Sequence, residues 1–130
     1  MGFLLYILSR ILSMVIVTVG IIYGLIKCFW HTEIKAGLKS ANAKFLLLAK
    51  SIDKYGNVAC SELFNDLLLS KDSKWKFGYI EETISGVLGV NYNDGTLSKT
   101  GKFICNILNK IDKGHVQRAA ILDKLKSGQG

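Results

Sequence analysis

From Phe3 to Trp30 the chain is almost unbroken apolar sequence, and the 16 residues between Arg10 and Lys27 carry no charge. Extended to Trp30, with Lys27 reaching its ammonium to the headgroup level, the stretch gives about 20 residues, or roughly 30 Å of helix, the thickness of a bilayer's hydrocarbon core. The pattern predicts a single membrane-crossing helix over residues 1–30, a small soluble domain over 31–126 and a flexible tail at 127–130.

Past Trp30 the apolar positions recur at helical spacing. Ile34, Leu38, Ala41, Phe45, Leu48 and Ile52 advance by fours and threes, with Lys35, Lys39, Lys44 and Lys50 off the stripe. Helices are expected near 34–54, 58–70, 79–88, 98–113 and 115–126. Gly56 is read as the stop of the first of these and Asn57 as the cap of the next, with Leu63, Phe64, Leu67 and Leu68 facing inward. Ile80, Ile84, Val87 and Leu88 should form the buried face of a short helix ended by Gly89, followed by a turn over Asn91–Gly95. Ser98 is the natural cap of the fifth helix, whose stripe is Phe103, Ile104, Ile107, Leu108 and Ile111, and Gly114 closes it. No alternating strand pattern competes, so the class is all-α, with about five helices after the anchor.

The chain carries 17 basic and 10 acidic residues. Arg10 and Lys27 lie in the apolar segment, leaving the remainder with 15 basic residues against the same 10 acidic ones. Lys27, Lys35, Lys39 and Lys44 cluster after the apolar segment, against Arg10 and the amino terminus before it. By the positive-inside rule this places the N-terminus outside and the domain in the cytoplasm of a bacterial inner membrane. Met1–Ser9 has no charged side chain and no A-x-A follows Ile26, so a cleaved signal peptide is disfavoured; Tyr6 stands where a myristoylation signal needs Ser or Thr. The basic residues are too dispersed to suggest a nucleic-acid surface. Cys28, Cys60 and Cys105 fit free thiols in a reducing compartment.

Within the apolar helix, Ser13, Gly20 and Gly24 fall on one stripe, the small-residue spacing that lets membrane helices approach one another, and they are the candidates for self-association. The polar segment 70–78 contains Trp75, Lys76 and Phe77, the candidate contact with a membrane or cytoplasmic protein, unless its aromatics fold onto the core. Signs of chemistry are few. Gly95–Lys102 has five residues between its glycines and Phe103 after its lysine, which fails as a phosphate loop. His31 and His115 are far apart, with no cysteine at metal-ligand spacing, so neither a metal nor a cofactor is expected. An active site would need Glu82, Asp112 and His115 to converge, and no enzyme activity is expected.

Gly78-Tyr-Ile-Glu-Glu-Thr-Ile-Ser85 followed by Asp112-Lys-Gly-His115 resembles a pattern of small tailed-phage and prophage proteins, G-x-P-D-E-T-I-S, then a basic stretch, then D-H-C. The similarity spans residues 78–120 and departs from the pattern at Ile80, Glu81 and Val116 and in the spacing between Asp112 and His115. Glu82, Thr83, Ile84, Ser85 and His115 are the motif positions that carry over, and Glu82 and His115 are candidates for a structural pair between helices. The resemblance implies a phage or prophage origin and no mechanism. Together these features suggest a non-enzymatic single-pass protein acting by contact at the membrane, in host modulation or superinfection exclusion. A holin-like or antiholin-like lysis protein and a membrane-tethered nucleic-acid binder are the alternatives.

Overall fold

The computed structural model describes residues 1–30 and 33–127. His31 and most of the expected tail lie outside the described residues. Six helices follow one another: α1 (Gly2–Phe29), α2 (Ile34–Ala59), α3 (Ser61–Leu68), α4 (Ile84–Asn93), α5 (Lys99–Ile111) and α6 (His115–Ser127). The protein is all-α; among the described residues extended pairing is limited to one antiparallel bridge between Leu69 and Leu97. The chain divides into two compact units, Met1–Leu47 and Leu48–Gly130, so α2 begins in the first and ends in the second.

In the first unit, α1 is long and apolar enough to cross a membrane, and of its 28 residues only Gly24 is buried. Its hydroxyls turn back onto their own helix: Ser9 donates to the Tyr6 carbonyl at 2.8 Å, Ser13 to Arg10 at 2.9 Å and Thr18 to Met14 at 2.6 Å. A helix that satisfies its hydroxyls internally presents little polar demand to hydrocarbon. The start of α2 meets the end of α1, with Ser40 Oγ 3.3 Å from Cys28 Sγ and Phe29 against Gly37.

The second unit is built around α4. Ser85 to Asn91 are all buried, and Val87 and Leu88 are fully enclosed. A helix apolar on all sides belongs at the centre. Leu68, Leu69, Phe77, Leu97, Cys105 and Val116 surround it, with Phe64, Trp75, Ile84, Ile104 and Leu108 packed at the edge. The main crossing is α4 against α6, and it is made possible by absent side chains. A Cβ on Gly89 would stand 1.9 Å from the Val116 carbonyl oxygen, and one on Gly86 would strike the Asp123 carboxylate. Gly101 does the same for α5, facing the Leu68 carbonyl.

Several boundaries move from their sequence-based positions, for one shared reason: packing overrides the local signal. Gly56 does not end α2, which runs on to Ala59; it makes room for Ile84. Asn57 does not cap α3 but is fully buried. The segment from Tyr79 stays outside helix until Ile84, leaving Ile80 68% exposed, and Gly89 lies mid-helix rather than at its end. Asn91 belongs to the same helix, and the turn starts at Asp94. Leu63 and Leu67 of α3, and Phe103, Ile107 and Ile111 of α5, face outward, as do Ile34, Leu38, Phe45 and Ile52 of α2. The expected stop at Gly114 holds, with φ at +75°.

Replacing Gly89 by Ala should lower stability by about 3 kcal/mol, because the facing atom is backbone and the gain in helix propensity of about 1 kcal/mol offsets only part of the clash. Chemical denaturation of the full chain in micelles, followed by far-UV dichroism, reads this directly. Gly20→Ala, whose Cβ meets nothing within 4 Å, should not lower the midpoint.

Candidate functional site

The residues singled out by the sequence pattern gather at the N-terminus of α4. Thr83 caps the helix, its Oγ1 accepting from the Gly86 amide at 2.9 Å. The buried Asp123 of α6 accepts from both the Thr83 amide, at 2.7 Å, and its hydroxyl, at 2.8 Å. This arrangement fixes where α4 starts. Ser85, in the first turn, faces Asp53 of α2, whose carboxylate accepts from the Ser85 amide at 3.5 Å and from its hydroxyl. From the other side His115 brings Nε2 to 3.3 Å of Ser85 Oγ and Nδ1 to 3.0 Å of Asp112. Arg118 donates to the same Asp112 oxygen at 2.6 Å and to the Lys113 carbonyl.

Asp112, His115 and Ser85 thus stand in the order carboxylate, imidazole, hydroxyl, the order of a nucleophile-activating relay. Their surroundings argue for a brace instead. Ser85 is buried at 7% exposure, and its hydroxyl serves Asp53 as well as His115. The amides of Thr83, Ser85 and Gly86 already bond to Asp123, Asp53 and Thr83, so they are not free to stabilise an oxyanion. Cys105 offers no nucleophile either, since burial pushes its thiol up to about 11. Among the described residues no three His, Cys, Asp or Glu side chains converge in a way that could hold a metal ion. Chemically, the cluster ties α2, α4 and the α5–α6 turn together.

The carboxyl groups divide by environment. Burial holds Asp53 above its ordinary value, with Asp123 adding repulsion, while Ser85 and the His115 charge pull the other way. Glu82, 5% exposed, is raised by burial and by Asp123 against a hydrogen bond from Trp75. Exposed Asp112 is lowered by its hydrogen bonds from Arg118 first and His115 second. His115 is therefore partnered by Asp112 and Ser85, and Glu82 by Trp75. The two do not form the pair expected between them.

The segment 70–78 folds onto the core. Phe77 is 5% exposed and meets Phe64 edge-on, with ring centroids 5.4 Å apart. Trp75 is half-buried beneath the Lys124 ammonium, 5.8 Å from its ring, and only Lys76 of the three projects into solvent. An aromatic pair has more apolar area to gain from the core than from water. On α1, Gly20 lies open, the Ser13 hydroxyl is engaged with its own helix, and Gly24 is covered by the Lys44 side chain.

The roles of three asparagines do not follow from the sequence pattern, which casts Asn57 as a cap and Asn91 as the start of a turn and does not mark Asn65. Asn57 donates to the carbonyls of Tyr79 and Glu82 at 2.8 and 2.9 Å and accepts from Gly78 at 3.1 Å. Asn65 accepts from the Phe77 amide at 2.8 Å and donates to its carbonyl at 3.2 Å. Asn91 donates to Trp75 and Val87 and accepts from Thr96 and Ser73. The available signal was a poor helix former set inside apolar helical sequence.

A scan against family models finds no match for this chain, and searches of curated proteins and of solved structures likewise find none.

Asn57→Ala should cost about 2–3 kcal/mol, since it leaves the Tyr79 and Glu82 carbonyls without this partner inside the protein; a denaturation midpoint unchanged from wild type would contradict the role. For Glu82 the folded state holds the proton more tightly than the unfolded chain. Its contribution to stability is complete at low pH and is lost as pH rises through the folded value, above the ordinary 4.5. Glu82→Gln keeps an acceptor for Trp75 and cannot ionise. Its melting temperature relative to wild type should rise between about pH 4 and about pH 7.5.

Proposed function

We propose that this chain is a non-enzymatic, single-pass membrane protein of phage or prophage origin that works by protein contact at the bacterial inner membrane, in host modulation or superinfection exclusion. The observation that carries the membrane part is α1, a 28-residue helix of mean hydropathy 2.2 over its best window. At about 1.5 Å per residue such a helix spans a hydrocarbon core with turns to spare, and Met1–Ser9 lacks the basic side chains that open a signal sequence. The internally bonded hydroxyls of Ser9, Ser13 and Thr18 suit the same surroundings. The lysines after α1 favour a cytoplasmic domain and an external N-terminus. The use of Ser85, His115 and Asp112 as a brace supports action without catalysis, and the resemblance of residues 78–120 to phage proteins supports the origin.

The test is a pair of fusions after Gly130, a fluorescent protein and alkaline phosphatase, expressed separately in bacteria. Fluorescence without phosphatase activity, in a membrane fraction that resists carbonate washing, is the expected result. Phosphatase activity without fluorescence would reverse the orientation, and release by carbonate would remove the anchor.

A further inference from the structure

The first half of α2 carries an apolar face that no part of its own unit covers. Ile34 is 75% exposed, Leu38 57% and Phe45 50%, and the three lie within about 40° of one another on a helix of 3.6 residues per turn. Lys35 and Lys39 stand on the flank of that face, and between Glu33 and Asp53 the chain has four lysines and no acidic residue. The side turned to α1 is the adjacent one, where Gly37 meets Phe29 and Ser40 meets Cys28; Ala41, at the edge between the two, is buried. Lys44 reaches from α2 to cover Gly24, five residues before the end of α1. An ammonium group settles at headgroup level rather than in hydrocarbon, so this contact marks the last turns of α1 as interfacial.

We infer that Ile34–Leu47 of α2 is a lipid-contacting helix, seating Ile34, Leu38 and Phe45 at the headgroup–acyl boundary of an anionic bilayer while Lys35 and Lys39 engage its phosphates. An apolar face with a charged flank is the composition that seats a helix at that boundary. Juxtamembrane lysines gain from anionic headgroups, and α1 keeps α2 next to the surface, so binding needs no separate encounter. The inference rests on the membrane reading of α1 and adds the lipid class that α2 selects.

Spin labels on the full-length chain test it. Cys28→Ser and Cys60→Ala remove the two accessible thiols, whereas Cys105 is fully buried and its raised thiol pKa leaves it unreactive. Leu38→Cys, Phe45→Cys and, on the opposite side, Ala43→Cys are each labelled, checked for unchanged melting, and reconstituted into phosphatidylcholine vesicles with and without phosphatidylglycerol. Labels at 38 and 45 should collide with oxygen and be shielded from a water-soluble nickel complex, more so with phosphatidylglycerol present, while the label at 43 shows the reverse. Lys35→Gln with Lys39→Gln should abolish the added effect of phosphatidylglycerol. Equal access of nickel to 38, 45 and 43 would overturn the proposal. Shielding of 38 and 45 from both reagents would overturn it in favour of a second copy covering the face, and equal behaviour in the two vesicle types would overturn the anionic preference. Flotation of the same samples separates the two readings: a chain that floats but shows water-exposed labels has an anchor without a lipid-bound α2, whereas a chain that does not float has neither.

Discussion

The second unit depends on how it holds the 15 residues from Leu69 to Thr83, which connect α3 to α4 without a helix of their own. Where such a connection dips into the core, as at Ser73, Phe77, Glu82 and Thr83, its amides and carbonyls must find partners. Here the partners are side-chain amides: Asn57 from α2, Asn65 from α3 and Asn91 from α4 each grip the connection through both donor and acceptor. Because an amide has both, each asparagine reads the direction of the strand it holds as well as its position. The connection is thereby fixed at Trp75, Phe77, Gly78, Tyr79 and Glu82, which leaves the Thr83 cap and the start of α4 one place to be.

From that start the packing is set. With Thr83 held by Asp123, the glycines at 86 and 89 fall where α6 crosses, and Val116 and Ala120 can come against the α4 backbone. The arrangement has a standing electrostatic cost. Three carboxyl groups, Asp53, Glu82 and Asp123, sit close enough that Asp123 raises the other two, and burial raises them further. Hydrogen bonds from Ser85 and Trp75 recover part of that cost. The unit accepts it because the same groups satisfy the helix terminus and the entering loop, which would otherwise be left unpaired in an apolar interior.

How much of this could be read from the chain differs by kind of residue. The apolar run that becomes α1, the Ser98 cap and the Gly114 stop were legible because each is a local signal with a local cause. Gly56, Asn57, Gly89 and Asn91 misled because their local meaning, a break or a cap, is common, while their actual use is set by a partner far away in sequence: Ile84, Gly78, Val116 and Trp75. The outward Phe103, Ile107 and Ile111 make the same point from the other direction. Periodicity identifies the apolar side of a helix but not how much of it has a neighbour, and in α5 the core takes Ile104, Cys105 and Leu108 and leaves the adjacent ridge outside. The candidate motif was legible as a group, since Glu82, Thr83, Ser85 and His115 do assemble around the α4 terminus. Their roles were not, because Asp53 and Asp123 lie outside the motif.

The Asp112–His115–Ser85 line shows why order alone does not define chemistry. The same three groups would activate a nucleophile if the hydroxyl faced a space that substrate could enter and if amides nearby were free to receive developing charge. Both conditions are decided by neighbours. Asp53 competes for the Ser85 hydroxyl, and the amides of Thr83, Ser85 and Gly86 bond to Asp123, Asp53 and Thr83. The bonds that hold the α4 terminus are made by the same groups that such a relay would need. A helix start used so fully for structure leaves the unit's uncovered surfaces, and the long apolar α1, as the parts of the chain not spent on holding the fold.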